Sequence, residues 1–324
     1  MTNEKALLFN TYPGARLVTV GDTKVLVANT YEYLPGWPIF RAQKDGQFVH
    51  VSNVFNTSDV LDFSGVRSGE GLAVTDFKFD DGEYKISGEF TNSTSLSAKQ
   101  GSFTISSTDL INWEEPVWNH TSAVPSEQNV ESDLAAIINQ EYSGKYALDD
   151  EALVSIRGSK AHFLIDNKTM KLQSDNINAI SNVSYVGFRQ THLLTTVSAD
   201  FEIDYDPARN EEVGLAVRKN DTDYIKFAVY KDIVKVVHRQ HDVASVPSSK
   251  AHNLSKFNLR IETDIANQYH LFFNNEELGS IDGKTLSTEV AGGVFGITIG
   301  AFATANGQPT NASVKITNLI YCTK

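Results

Sequence analysis

The 324-residue chain has a single cysteine, Cys322. A lone thiol excludes an internal disulfide framework and any cysteine-rich metal site. Basic residues are also scarce. There are 28 Lys and Arg against 40 Asp and Glu, a formal net charge of −12. That balance argues against nucleic acid as a partner, which needs clustered positive charge. No apolar run approaches the roughly 20 residues of a membrane-spanning helix, so no membrane partner is expected. The first residues, Met1-Thr2-Asn3-Glu4-Lys5, lack a basic region followed by an apolar one. No secretory leader is therefore visible, and a cytoplasmic location is the expectation. Eight glycosylation sequons, at Asn56, Asn92, Asn119, Asn167, Asn182, Asn220, Asn253 and Asn311, matter only for a secreted chain.

Sustained helical periodicity is missing too. Short alternating runs take its place, such as Arg16-Leu17-Val18-Thr19-Val20 and Gln47-Phe48-Val49-His50-Val51. Turn residues punctuate them at Gly21-Asp22, Asp45-Gly46 and Asp80-Asp81-Gly82. His120 to Glu127 reads as a loop. Asp133 to Ile138 fits a buried strand or a short helix equally well. From about residue 150 longer strands return, among them Leu193 to Ile203, Val213 to Val217, Tyr224 to Tyr230 and Phe257 to Glu262. Strands of this kind suit a two-sheet sandwich.

One segment is more specific: Thr30-Tyr31-Glu32-Tyr33-Leu34-Pro35-Gly36-Trp37-Pro38-Ile39-Phe40. It resembles glycoside hydrolase family 43, the β-xylosidases and α-L-arabinofuranosidases. Asn56 to Val66, Gly101 to Ile105 and Asn112 to Trp118 continue the resemblance. So do Ser184 to His192 and Glu211 to Val217 in the second half. The resemblance implies an all-β protein, a five-bladed β-propeller followed by a concanavalin A-like β-sandwich. A blade has four strands, and residues 1–148 hold enough for about two to three blades. The expectation is an incomplete propeller in 1–148 and a sandwich in 149–324.

Hydrolysis with inversion needs an acid and a base carboxyl. In the family the base lies in a Pro-Asp-Pro motif, and the matching stretch here is Tyr12-Pro13-Gly14-Ala15-Arg16. Gly14 stands where the base is expected. The family's Gly-Ile-Trp-Ala-Pro becomes Gly71-Leu72-Ala73-Val74-Thr75, without its Trp. The Glu-Gly-Pro segment that carries the acid occurs nowhere in the chain. Asp133, in Ser132-Asp133-Leu134, is the possible remnant of a third carboxylate that tunes the acid; a loop or capping Asp is the plainer reading.

Tyr31 and Trp37 are the candidate sugar-stacking residues, or else core aromatics. Asp204, Asp206, Glu211 and Glu212 could gather around calcium, or form a solvated acidic turn. His238 and His241 lack a third zinc ligand at usable spacing. The expectation is a degenerate, non-hydrolytic relative of family 43 that binds xylose- or arabinose-containing glycans or serves assembly, with a homodimer through its incomplete half. Two other readings remain: an active glycosidase with carboxylates elsewhere, and a structural protein that binds no sugar.

Overall fold

The computed structural model describes residues 11–95, 99–119, 133, 135, 137, 143–181, 183–204, 210–293 and 295–323. The loop expected at His120 to Glu127 lies outside them, as does Asp206. The chain divides into two compact units. One comprises Leu8–Gln140 with Arg157–Ser159, the other Glu141–Ile156 and Lys160–Lys324 together with Met1–Leu7.

The first unit holds two four-stranded antiparallel sheets with the form of propeller blades. Blade one is β1 (Arg16–Val20), β2 (Thr23–Val27), β3 (Gly36–Ala42) and β4 (Phe48–Phe55), paired in chain order. Blade two is β5 (Gly71–Asp80), β6 (Glu83–Thr91), β7 (Gly101–Ser107) and β8 (Val117–Asn119), again in chain order. Among the described residues these are the only two blades, and they close no ring, as in an incomplete propeller. The alternation expected of the strands is present: along β6, Ile86, Gly88 and Phe90 are buried and their neighbours are half-buried. Such period-two burial lets one strand serve two layers. The blade core gathers Val25, Leu34, Trp37, Ile39, Phe55, Leu72, Phe90 and Phe103.

Arg157 belongs to this unit although it follows in the chain by many residues. Only 2% of it is exposed. Its Nε donates to the Val66 carbonyl, and its backbone N–H donates to the Glu32 carbonyl at 2.8 Å. A guanidinium buried this deeply has to be hydrogen-bonded to be tolerated.

The second unit is a sandwich. One sheet runs β12 (Ser184–Arg189), β21 (Thr298–Thr304), β14 (Glu212–Arg218), β15 (Tyr224–Tyr230), β16 (Ile233–Gln240) and β17 (Val243–Ala251). The other runs β10 (Leu164–Asp166), β11 (Thr169–Lys171), β22 (Ser313–Thr323), β13 (Thr195–Ile203), β18 (Lys256–Thr263), β19 (Gln268–Phe273) and β20 (Glu276–Asp282), with β9 (Gly144–Tyr146) also pairing β22. Val186, Phe188, Leu215, Val217 and Phe227 of the first sheet share a core with Val197, Phe201, Leu259, Leu271 and Ile316 of the second. Leu148, Leu153 and Phe163 complete that core.

On the second sheet His270 lies between two carboxylates, Glu277 Oε1 at 2.7 Å and Asp264 Oδ2 at 3.2 Å. The hydrogen bond with Glu277 raises its pKa, burial opposes this, and Asp264 adds to the rise. A raised folded-state pKa stabilises fully below the unfolded value and fades as pH rises through the folded one. The pairs are exposed and screened, so only about 0.5 kcal/mol is expected. Urea midpoints should fall slightly between pH 6 and pH 8, and His270→Gln should flatten that change. A His270→Gln variant with an undiminished slope would assign the effect to other groups.

Candidate functional site

The site begins at the entry to β1. Gly14 has φ +62°, the left-handed region that glycine adopts without cost. A Cβ added there would lie 2.3 Å from Asn29 Nδ2. The space that a side chain at position 14 would need is thus held by the Asn29 amide. Asn29 is 4% exposed. Its Oδ1 accepts from the Val74 N–H at 2.5 Å, and its Nδ2 donates to Tyr31 Oη at 3.3 Å. Asn29 therefore links the segment before β3 to the middle of β5, with both ends of its amide in use.

Tyr31 is half-buried, with φ 52°. Its backbone exchanges both hydrogen bonds with Leu72, at 3.0 and 3.1 Å. Burial pushes its hydroxyl pKa up, and the Asn29 hydrogen bond works against that. Arg16, two residues after Gly14, donates from Nη1 to the Gly14 and Ala15 carbonyls at 3.2 and 3.1 Å. Its Nε donates to the Thr75 carbonyl at 3.3 Å. Burial lowers the Arg16 pKa, and the nearby charge of Asp76 opposes this. Gly14, Arg16, Asn29, Tyr31 and the Val74–Asp76 stretch form one polar cluster on β1, β5 and the segment before β3.

Trp37 is placed apart from this cluster. It has 0% exposure. Its ring stacks on Phe103 at 5.3 Å and meets Phe55 edge-on at 5.4 Å. Gly88 opposes the ring so closely that a Cβ there would come within 2.2 Å of it. Of the two aromatics expected to meet sugar, Trp37 is a core residue with no free face, while Tyr31 keeps partial exposure. The burial follows from strand parity: Trp37 and Ile39 share the face of β3 that points into the blade core.

Asp133, Ala135 and Ile137 are helical, which favours the helix of the two readings at those three positions. The Asp133 carboxylate is held by Lys24 Nζ at 2.7 Å. It is thus neutralised by an ion pair with β2.

In the sandwich, Glu212 meets Lys226 Nζ at 2.9 Å and Lys235 Nζ at 3.5 Å, and only 1% of its side chain is exposed. Two lysines answer its charge. Glu211 accepts from Thr310 Oγ1 at 3.0 Å. His241 Nδ1 lies 3.6 Å from Asp223 Oδ1. Among the described residues no group of three or more His, Cys, Asp or Glu could hold a metal ion. No helix among them is long and apolar enough to cross a membrane.

Sequence reading misses Arg16, Asn29 and Asp76. Arg16 carries a signal, since a charged residue on an inner blade strand has to find partners. Asn29 carries none, because its role depends on a contact with Gly14 and Val74 that only folding creates.

Two open blades joined in one chain to a two-sheet sandwich define an all-β protein of the propeller-and-sandwich class. Residues 148–321 match the family described as "Beta xylosidase C-terminal Concanavalin A-like domain", and the chain belongs to glycoside hydrolase family 43 through it. A "Xylosidase/arabinosidase" of Butyrivibrio fibrisolvens is 29% identical over 178 residues, covering 51% of this chain and 34% of that protein. The chain thus spans about a third of that curated relative's length. Among solved structures, "Bacteroides ovatus Xyloglucan PUL GH43B" superposes with a TM-score of 0.80 at 14% identity, covering 97% of each chain. The GH43 BlXynB protein from Bacillus licheniformis superposes with a TM-score of 0.79 at 12% identity, covering 97% of this chain and 98% of that one. Identities this low establish a shared fold and nothing finer.

Proposed function

We propose that this chain is a family 43 glycosidase relative that binds xylose- or arabinose-containing glycans without hydrolysing them. The observation that carries the reading is the Asn29 amide standing 2.3 Å from where a Gly14 Cβ would be. By the family resemblance, position 14 is the seat of the general base. Here it has neither a carboxylate nor room for one. Asp133, the possible tuning residue, is spent on Lys24. Loss of a proton-transfer group costs about 10² to 10⁴ in rate. The glycan class follows from the name of the Butyrivibrio relative, and Tyr31 supplies a partly exposed ring beside the vacated position.

The test is an assay of the purified chain on aryl β-xylosides and aryl α-arabinofuranosides, paired with calorimetric titration of xylo- and arabino-oligosaccharides. The expected result is binding with no turnover above the uncatalysed rate. Turnover of about 1 s⁻¹ or more, the ordinary range of enzymes, would overturn the reading in favour of an active glycosidase. Absence of binding would leave a structural role.

A further inference from the structure

On the sandwich a lysine, a carboxylate and a carboxamide converge. Glu212 of β14 and Lys226 of β15 project from the same face of their sheet, since Glu212 pairs with Tyr230 and Lys226 with Ala216. Between them sits the cross-strand pair Gly214 and Ala228, too small to keep the two long side chains apart. Lys226 Nζ donates to Glu212 Oε2 at 2.9 Å. Lys226 is 5% exposed and Glu212 1%. The Phe302 ring, with its centre 5.7 Å from Nζ, adds an apolar wall.

The third member is Asn176, in the loop before β12. Lys226 Nζ donates to Asn176 Oδ1 at 3.3 Å, and the Ile177 N–H donates to the same oxygen at 2.8 Å. Asn176 Nδ2 donates to Asn306 Oδ1 at 2.7 Å, while Asn306 Nδ2 is committed to the Asn210 carbonyl at 2.9 Å. This series of donors and acceptors fixes which end of the Asn176 amide is oxygen. The loop is pinned as well: the Ala305 N–H donates to the Gln173 carbonyl at 2.8 Å and the Gly307 N–H to the Ser174 carbonyl at 2.7 Å.

These are the parts of an amide exchange. Burial lowers the Lys226 pKa, and the Glu212 charge opposes this. Passing one proton to Glu212 removes both charges from a nearly dry site and frees the amine lone pair for attack. The carbon it would attack, Asn176 Cγ, is bonded to the oxygen that Nζ already touches. The Ile177 N–H is aimed at the atom on which negative charge would collect.

We propose that Lys226 and Asn176 join in an internal isopeptide bond, formed by the chain itself with Glu212 as the proton carrier. Glu212 takes a proton from the Lys226 ammonium, and Nζ attacks Cγ. Glu212 hands that proton to Nδ2 as the Cγ–Nδ2 bond breaks, and takes the second proton from Nζ. It then gives this proton to the departing ammonia, which leaves as ammonium. One N–C bond forms, one breaks, and nothing is oxidised or reduced. The product ties the loop before β12 to the middle of its sheet, and such a cross-link restricts the unfolded chain.

The test is mass spectrometry of the denatured full chain, intact and after trypsin. The expected intact mass is lower than that of the sequence by one ammonia. The digest should contain a branched peptide joining the segment that bears Asn176 to the one that bears Lys226. Cyclisation at Asn306-Gly307 would lose the same ammonia, so the branched peptide decides. Asn176→Ala, at a half-buried loop position, removes the acceptor and should restore the full mass. Glu212→Gln keeps the shape, removes the proton carrier and should do the same; if it fails to fold, the parent digest and Asn176→Ala decide alone. A parent chain of full sequence mass, or one whose two peptides stay separate, would overturn the bond. Ammonia loss that persists in Asn176→Ala would assign it to another amide and overturn the bond too. A branched peptide in folded Glu212→Gln would overturn the role of the carboxylate.

Discussion

Gly14→Asp should destabilise the protein and restore no hydrolysis. The backbone at position 14 has φ +62°. An L-residue there costs about 1 kcal/mol, though Asp tolerates this region better than most residues. The larger cost is steric. The new Cβ would stand 2.3 Å from Asn29 Nδ2. Asn29 is buried and cannot swing aside without giving up the Val74 N–H, a buried donor. An orphaned buried donor costs about 1–3 kcal/mol. The sum is a loss of about 2–4 kcal/mol, readable as a clear drop in the denaturant midpoint. Coupling Gly14→Asp with Asn29→Ala should recover little of that loss, because the amide no longer occupies the space but the Val74 N–H is left without its acceptor in either case. Activity on aryl glycosides should stay at background in both variants, since the chain contains no Glu-Gly-Pro segment to supply an acid. Hydrolysis by either variant would show that an acid is present at a position the family pattern does not mark.

Most of the strands are legible in the amino-acid pattern. Period-two runs such as Glu83–Thr91 and Thr195–Ile203 announce themselves, because a sheet with one face on a core has to alternate. The sandwich strands Glu212–Arg218 and Thr298–Thr304 alternate less, being buried on both faces. They are recognisable only as apolar runs and through the family resemblance. The helical state of Asp133, Ala135 and Ile137 is not decidable from the pattern, since so few residues carry no period. The candidate site is legible in what it lacks and obscure in what it holds. Gly14 and the missing Trp at Ala73 can be read off a motif. The occupation of the space beside Gly14 by Asn29, the ion pair of Asp133 with Lys24, and the insertion of Arg157 into the blade unit cannot. Each is a contact between positions separated in sequence, and periodicity carries no information about such pairs.

The same limit explains why Tyr31 and Trp37 look alike as sequence. Both are aromatics in one motif, and an aromatic serves a sugar or a core with the same flat apolar face. Backbone geometry separates them. Tyr31 is bridged to Leu72 by its main chain, which leaves its ring at the margin of the cluster. Trp37 lies one layer deeper, on the strand face that packs against blade two.

Trp37→Ala should therefore be among the most damaging single changes in the first unit. The indole is fully buried, stacked on Phe103 and set edge-on to Phe55, with Gly88 shaped to admit it. Removing it leaves a void that the rigid strands on either side cannot fill, and large-to-small changes of this kind cost about 3–5 kcal/mol. The expected result is partial or complete unfolding of the blade unit, seen as loss of its transition in denaturant melts. Trp37→Phe is the informative companion. It keeps an aromatic in the slot and discards Nε1, a buried donor with no partner among the described residues. A smaller void is left, so a loss of about 1–2 kcal/mol is expected. Because the ring has no exposed face, sugar affinity in folded Trp37→Phe should equal that of the parent. A folded Trp37→Phe chain with affinity reduced tenfold would place the indole in the sugar site after all.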